Sequence, residues 1–283
     1  MRFKLKPREA DSHKGSFGTV LVVGGCRGMY GAPSLCGSSA LASGCGLARV
    51  AVPDVCLEVV AGYDRQYTTI PLPCDESGKI SHAALNPILE EAQKASVIAI
   101  GPGLGQSKEL DELVRVLYKK SDKPMIIDAD ALNALSRSSL KFKASHPRIL
   151  TPHPGEFARL SGATEKQTRE EQIDAAKEMA LQLSAIIVLK GHKTVVTDGI
   201  HTYTNKTGNP GMATGGAGDV LTGVIASLVA QQYDPFDAAQ IGVYVHGLAG
   251  DLAARSLGQT SVTAERILEF LPAAFKKLEK DAK

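Results

Sequence analysis

Asn209-Pro210-Gly211-Met212-Ala213-Thr214-Gly215-Gly216-Ala217-Gly218-Asp219 is the most informative stretch of this amino-acid sequence. It is followed by apolar residues whose helical spacing defines one buried face: Val220, Leu221, Val224, Ile225, Leu228 and Val229. The glycine-rich turn therefore leads into a helix N-terminus, where the first amides lack internal partners and carry the positive end of the helix dipole. Because glycines let the backbone approach an anion closely, we expect a phosphate to bind here.

Asp219 is placed at the start of this helix, and two interpretations of it are open. Aspartate is a favoured N-cap residue, so its carboxylate could serve the helix alone. Beside a phosphoryl group, a fixed carboxylate can also align an acceptor hydroxyl and remove its proton. We expect the helix dipole to keep Asp219 ionised, which would make it a modest base that contributes mainly by positioning.

The rest of the chain alternates short apolar strands with helical patterns, which predicts a parallel sheet with helices on both faces. The predicted strands are 19–23, 47–52, 97–100, 125–128, 148–151 and 185–190, and the predicted helices are 34–43, 110–118, 173–183, 220–230, 237–255 and 264–278. Asp198-Gly199, between β runs 195–197 and 200–204, predicts an antiparallel edge hairpin. No linker or repeat divides the chain, so we expect one domain spanning residues 1–283.

Three segments directly follow predicted strands: Gly101–Gly105, Thr151–Glu156 and Lys190–Thr194. In an open parallel sheet, ligands bind beyond the carboxyl ends of the strands, so these segments should gather beside the site. Two competing phosphate motifs are missing. There is no G-x-x-x-x-G-K-[ST], and Gly24–Gly28 lacks the G-x-G-x-x-G spacing. The P-loop class and the NAD-dependent oxidoreductases are therefore disfavoured.

Composition excludes further classes of function. The 283 residues are 43% hydrophobic and carry a net charge of +2, which indicates a globular protein and gives no electrostatic case for binding nucleic acid or a membrane. No apolar run approaches the roughly 20 residues of a spanning helix, and residues 1–10 do not resemble a secretory signal. The five cysteines include no C-x-x-C pair and are interpreted as reduced, buried thiols of a cytoplasmic protein.

Residues 209–223, with Gly216-Ala217-Gly218-Asp219, resemble the anion-hole and aspartate signature of ribokinase-like kinases. More narrowly, nearly the whole chain resembles the ADP/ATP-dependent NAD(P)H-hydrate dehydratase family. The blocks that carry this resemblance are His13–Gly18, Gly31–Pro33, Ser43–Leu47, Gly101–Gly105, Asp128–Asn133, Leu150–Phe157, Leu189–Thr194, His246-Gly247 and Gly250-Asp251. The resemblance implies a ribokinase-like three-layer α/β/α sandwich, with a mostly parallel central sheet and an antiparallel edge hairpin.

The family resemblance also implies a repair reaction on the S form of NADHX and NADPHX, the hydrated forms of NADH and NADPH. ADP or ATP, with Mg²⁺, would phosphorylate the hydrate hydroxyl, and loss of phosphate would restore the C5–C6 double bond. Phosphate leaves far more readily than hydroxide, so the protein need supply only positioning and charge stabilisation. The family further implies a homotetramer and a separate NAD(P)H-hydrate epimerase, since the chain is too short to include that domain.

Site roles implied by the resemblance follow its motifs. Asp219 would be the base, and the amides of Gly216, Ala217 and Gly218 would form the anion hole. The positions expected to contact the hydrate are Ala40, Gly103, His153 and Asp219. The positions expected to bind the nucleotide are Lys190, Gly191, His192, Lys193, Thr194, Asn209, Gly211, Met212, Ala213, Thr214, Gly215 and Gly218. Glu156 would help to hold Mg²⁺ through water.

The residues alone leave simpler interpretations open. His153, between two prolines, could cap a turn, and Lys190 could be an ordinary charge at a strand end. Asp128 and Asp130 are equally well interpreted as turn or helix-start residues. His246 is interpreted as a satisfied core histidine rather than as a ligand.

Two rival functions remain, a kinase on the same fold and a binding protein from another class. A small-molecule kinase acting on a thiazole or pyrimidine alcohol would share the anion hole and Asp219, but it would release a stable phosphorylated product. A regulatory nucleotide-binding protein without turnover would gain nothing from the carboxylate beside the phosphate.

Overall fold

The computed structural model describes residues 3–138, 143–163 and 167–281. The strands within these ranges are β1 Thr19–Val23, β2 Leu47–Pro53, β3 Thr68–Leu72, β4 Val97–Ile100, β5 Met125–Ile127, β6 Arg148–Leu150, β7 Ile186–Leu189, β8 Val195–Thr197 and β9 Thr202–Thr204. The α-helices are α1 Gly31–Ala42, α2 Leu57–Tyr63, α3 Leu85–Gln93, α4 Lys108–Lys120, α5 Ala129–Ser136, α6 Pro154–Ser161, α7 Arg169–Leu183, α8 Ala217–Ala230, α9 Pro235–Leu257 and α10 Ala264–Asp281.

The strands form one sheet in the order β3-β2-β1-β4-β5-β6-β7-β8-β9. The first seven are parallel, and β8 and β9 continue the sheet as an antiparallel hairpin. Alternate residues of each buried strand point to opposite faces. Val20 and Val22 pack with α1, α2, α8, α9 and α10, whereas Leu21 and Val23 pack with α3 to α7. The predicted three-layer α/β/α sandwich is confirmed.

Most predicted elements are present, with small shifts at their ends. The strands β1 and β4 have the predicted bounds, and the hairpin is confirmed. Its second strand begins at Thr202 instead of 200, because Asp198 Oδ1 accepts hydrogen bonds from the amides of Ile200 and His201 and holds them in the turn. The strands β5, β6 and β7 each end one residue earlier than predicted, so Asp128, Thr151 and Lys190 directly follow the strands.

Five elements were not predicted: α2, β3, α3, α5 and α6. The strand β3 includes Pro71 and lies at the sheet edge, where a missing amide donor is tolerated. Helix α5 begins at Ala129, whose φ of 49° is unusual for a residue with a side chain. None of the helices within the described residues is long and apolar enough to cross a membrane.

The helix that follows the glycine-rich turn, α8, packs closely on α1 at Gly223. A Cβ at this position would lie 2.1 Å from Cys36 O and 2.1 Å from Ser39 Oγ. We expect Gly223→Ala to lower the free energy of unfolding by about 1–3 kcal/mol, because the neighbouring backbone must move. Denaturant titration measures this loss. Gly62→Ala in α2 is the control, since its Cβ meets no atom within 4 Å; equal losses in both variants would contradict the packing argument.

Candidate active site

A cavity of about 530 Å³ opens at the carboxyl ends of β5, β6 and β7, beside the start of α8. The residues that line it are Asp128, Ala129, His153, Lys190, Met212, Ala213, Thr214, Gly215, Gly216, Gly218 and Asp219. The segment after each of these strands thus supplies a side chain to the cavity: Asp128 after β5, His153 after β6 and Lys190 after β7. The glycine-rich turn forms the remaining wall. A ligand site is expected here, because ligands bind beyond the carboxyl ends of the strands in such sheets.

The glycines at the start of α8 occupy positions where a Cβ would come close to neighbouring side chains. Gly216 is the N-cap residue with φ of 88°, and a Cβ there would lie 2.8 Å from Leu35 Cδ1. A Cβ at Gly218 would lie 3.3 Å from Lys190 Nζ and point toward the charged wall of the cavity. Ala217 is buried and does not line the cavity, and its amide donates to Thr214 O at 3.5 Å. The cavity therefore meets the helix N-terminus at Gly216 and Gly218, where an anion is favoured.

Asp219 is the third residue of α8 and borders the cavity. The N-cap interpretation of this residue is wrong, since Gly216 holds that position. Burial and the nearby Asp128 carboxylate together raise the pKa of Asp219 to about 7, although the Lys190 ammonium opposes the rise. The raised pKa contradicts the expectation that the helix dipole keeps Asp219 ionised and a modest base. A carboxylate that titrates near neutrality is a better proton acceptor than one with an ordinary pKa.

A buried ion pair lies under the start of α8. Asp128, 1% exposed, accepts hydrogen bonds from Lys190 Nζ at 2.7 Å and from Thr222 Oγ1 at 2.8 Å. Burial by itself would raise the pKa of Asp128 and lower that of Lys190, but their contact reverses both shifts. Lys190 Nζ also lies 3.7 Å from Glu156 Oε2. Lys190 is therefore more than an ordinary strand-end charge, and Asp128 does more than start a helix.

Thr222 is a site residue that the sequence reasoning missed. It lies three residues after Asp219, so both side chains are on the same face of α8. Its hydroxyl donates to Asp128 and is completely buried. The spacing from Asp219 was the available signal. A single threonine in an apolar helix does not indicate which buried group its hydroxyl contacts.

His153 caps α6, as the simpler interpretation held. Its Nδ1 accepts hydrogen bonds from the amides of Gly155 at 3.0 Å and Glu156 at 3.3 Å, and Glu156 Oε2 accepts from the amide of His153 at 2.8 Å. This reciprocal capping box leaves the His153 ring half-exposed at the cavity. Glu156 is buried and does not line the cavity. Among the described residues, no group of three or more His, Cys, Asp or Glu side chains is arranged to hold a metal.

Some predicted site residues lie away from the cavity. Ala40 is completely buried in the core between α1 and α8, and its expected contact with the hydrate stays a prediction. Gly103 is buried, with φ of 62°, where a Cβ would lie 2.8 Å from Met29 O. Asn209 and Gly211 bond to each other, Asn209 Oδ1 accepting from the amide of Gly211 at 3.0 Å.

The loop from Lys190 to Thr194 meets the cavity only at its first residue. The next three residues, Gly191, His192 and Lys193, are exposed, and Thr194 Oγ1 donates to Gly191 O. A nucleotide would contact these residues only by extending out of the cavity along the loop.

His246 matches its interpretation as a core histidine, and four of the five cysteines are buried as expected, whereas Cys74 is only partly buried. His246 Nε2 donates to Ala217 O at 2.9 Å, and burial lowers its pKa to about 4, so the ring is neutral at physiological pH. Four of the cysteines are buried, and burial raises the pKa of each of their thiols. These thiols are poor nucleophiles.

The mostly parallel sheet with its antiparallel edge, and the glycine-rich helix start beside a carboxylate, define the class: a ribokinase-like α/β/α protein. The NAD(P)H-hydrate dehydratase family model matches residues 20–273. The chain belongs to this family.

Relatives with described activities are similar along most of the chain. The bifunctional NAD(P)H-hydrate repair enzyme Nnr of Moorella thermoacetica is 44% identical over 283 residues, which are 99% of this chain and 53% of that protein. The ADP-dependent (S)-NAD(P)H-hydrate dehydratase of Neisseria meningitidis serogroup B is 39% identical over 259 residues, 90% of this chain and 83% of that one. The chain thus spans about half the length of the bifunctional relatives that it matches.

A solved structure is similar to this chain over nearly its whole length. The ADP/ATP-dependent NAD(P)H-hydrate dehydratase of Bacillus subtilis, co-crystallised with ATP/Mg²⁺, superposes with a TM-score of 0.83 at 33% identity. The superposition covers 97% of this chain and 95% of that one.

Proposed function

We propose that this protein uses ADP or ATP to dehydrate the S forms of NADHX and NADPHX to NADH and NADPH. The observation that carries the proposal is the placement of Asp219. Its carboxylate borders a cavity at a helix N-terminus and has a pKa of about 7. Membership of the NAD(P)H-hydrate dehydratase family supports the choice of substrate.

In the first step, the hydrate hydroxyl attacks the terminal phosphoryl group of the nucleotide. The O–P bond forms as the bond to the nucleotide leaving group breaks, and the hydroxyl proton passes to Asp219. In the second step, the ring nitrogen expels phosphate from the neighbouring carbon, and loss of a proton from the next carbon restores the C5–C6 double bond. A fixed carboxylate and oriented amides supply the alignment and charge stabilisation that such transfers require.

We place the terminal phosphates of the nucleotide against Gly216 and Gly218, with Lys190 Nζ beside them. The rest of the nucleotide would follow the cavity wall formed by Met212 to Gly215 and then the exposed loop after Lys190. The hydrate would approach from the side of His153, which lines the cavity. On this scheme the buried Asp128 fixes the ammonium of Lys190 under the helix start.

Mg²⁺ normally keeps several waters and binds one or two carboxylates together with substrate phosphates. Asp128 and Asp219 are the carboxylates that border the cavity, and both oxygens of Glu156 face polar partners. These residues fit an ion held mainly by phosphate oxygens and water, with Glu156 contributing only indirectly. Such an ion would supply further neutralisation of phosphate charge.

The direct test is recovery of the near-ultraviolet absorbance of the reduced ring from purified NADHX. We expect recovery with Mg²⁺ and ADP or ATP, together with release of one inorganic phosphate per NADH formed. A stable phosphorylated product without NADH would indicate a small-molecule kinase instead. No reaction with either nucleotide would refute the proposal.

The pH dependence of this reaction follows from the pKa of Asp219. Only the ionised carboxylate accepts a proton, so we expect kcat/KM to rise with pH and to level off above an apparent pKa of about 7. The measurement is kcat/KM for NADHX at fixed ionic strength. A profile that levels off near pH 4 would show that Asp219 keeps an ordinary pKa or is not the base.

The remaining expectations are proposals about the whole protein. We propose that residues 1–283 act as one domain of a cytoplasmic homotetramer and that a separate NAD(P)H-hydrate epimerase supplies the S form. Light scattering and epimerase assays of the purified chain test these points independently of the dehydratase reaction.

A further inference from the structure

The glycine-rich turn rests on one face of α9. Thr207 Oγ1 donates to Tyr244 O at 2.8 Å, and His246 donates to Ala217 O at 2.9 Å. Gly250 allows Met212 to approach, since a Cβ there would lie 2.2 Å from Met212 Sδ. Successive turns of a single helix therefore contact the segment from residue 207 to the beginning of α8.

Asp251 makes the most directed of these contacts. Its Oδ2 accepts a hydrogen bond from the amide of Gly208 at 3.0 Å, and its Oδ1 accepts from Asn209 Nδ2 at 2.9 Å. The other end of the Asn209 amide, Oδ1, accepts from the amide of Gly211. A carboxylate on α9 thus fixes the turn through one side chain and two backbone amides. Hydrogen bonds to a charged group are stronger and more directional than neutral ones.

We propose that Asp251 is a positioning residue for nucleotide binding. Through Gly208 and Asn209 it holds the turn in the position where Met212 to Gly216 and Gly218 line the cavity. The inference rests on the proposed function, and it gives Asn209 a different role from the predicted one. Asn209 binds no nucleotide directly; its amide connects the turn to α9.

Exchanging the residue types at positions 209 and 251 tests this hydrogen-bond pattern. In Asp251→Asn, one amide N–H must face either Asn209 Nδ2 or the amide of Gly208, so one donor loses its acceptor. In Asn209→Asp, two carboxylates face each other. The double variant Asn209→Asp/Asp251→Asn restores every bond: the new Asp accepts from Gly211 and from the new Asn, whose oxygen accepts from Gly208.

The readout is the dissociation constant of ADP, measured by calorimetry. We expect each single variant to weaken ADP binding about tenfold or more, and the double variant to return to within about threefold of the wild type. Asp237→Asn on the same helix is the matched control, because Asp237 is exposed and its carboxylate accepts a hydrogen bond from Gln240 on the same helix, away from the turn. It should leave ADP binding unchanged.

Unchanged ADP binding in Asp251→Asn, or a double variant as impaired as the worse single variant, would overturn the inference. Thermal midpoints of all four variants separate a general loss of stability from a local effect on the turn. The outcome is independent of the dehydratase reaction. Exchange rescue of ADP binding without any NADH recovery from NADHX would support Asp251 and refute the proposed function.

Discussion

Asp219→Asn is expected to lower kcat/KM for NADHX by about 10²- to 10⁴-fold, the usual contribution of a general base. Asparagine has nearly the same shape as aspartate and fits the same position on α8, but its amide cannot accept the hydroxyl proton. The nucleotide should bind at least as tightly as in the wild type, because a negative charge beside the phosphates is removed. The expected pattern is a loss of turnover without a loss of ADP affinity.

The stability of the Asp219→Asn variant provides a second check. Burial disfavours the ionised carboxylate, so the folded protein binds this proton more tightly than the unfolded chain does. The group is therefore unfavourable to folding as pH rises from the unfolded pKa near 3.8 to the folded value near 7. We expect the variant to be at least as stable as the wild type at pH 8. Near-normal turnover, or a marked loss of stability at pH 8, would contradict the role of Asp219.

The fold was predictable because its strands are short, apolar and separated by helical patterns. Residues such as Val20 to Val23 are buried on both faces of the sheet, which makes the whole run apolar and easy to recognise. The elements that escaped prediction lack this signal. Helix α6 begins with Pro154-Gly155, and its stability depends on the capping box of His153 and Glu156, which only appears when side-chain geometry is known.

The part of the site formed by residues adjacent in sequence was predictable. The part formed by pairs of residues far apart in sequence was not. Gly216 to Asp219 were recognised because glycine, helix start and carboxylate follow one another in sequence. Asp128 and Lys190 are 62 residues apart, and Asp128 and Thr222 are 94 apart. The raised pKa of Asp219 is a result of this arrangement, since burial and the Asp128 carboxylate together outweigh the Lys190 ammonium. No local pattern could have shown it.

Lys190→Met is expected to lower the free energy of unfolding by roughly 3–5 kcal/mol at pH 8, because it leaves the buried Asp128 carboxylate without a counterion. The methionine keeps most of the packing of the lysine stem but removes the ammonium that Asp128 contacts at 2.7 Å. ADP binding should weaken as well, since the same ammonium borders the cavity. Denaturant titration at several pH values measures the loss of stability.

The double variant Asp128→Asn/Lys190→Met separates a lost charge pair from lost packing. It removes the orphan charge and keeps an acceptor for Thr222, so we expect it to recover most of the stability lost in Lys190→Met. Lys177→Met is the control for an exposed pair, as Asp174 is largely exposed, and it should change stability by less than about 1 kcal/mol.

The loss of stability in Lys190→Met should decrease as pH falls. In the wild type, contact with Lys190 holds the pKa of Asp128 below its ordinary value, so its contribution to stability is present above pH 3.8 and is lost as pH falls. In Lys190→Met, burial acts unopposed and raises the pKa of Asp128, so the carboxyl takes up a proton more readily. The difference between the two proteins should therefore shrink as pH falls. A pH-independent difference, or a double variant as unstable as Lys190→Met, would show that packing accounts for the loss and the ion pair does not.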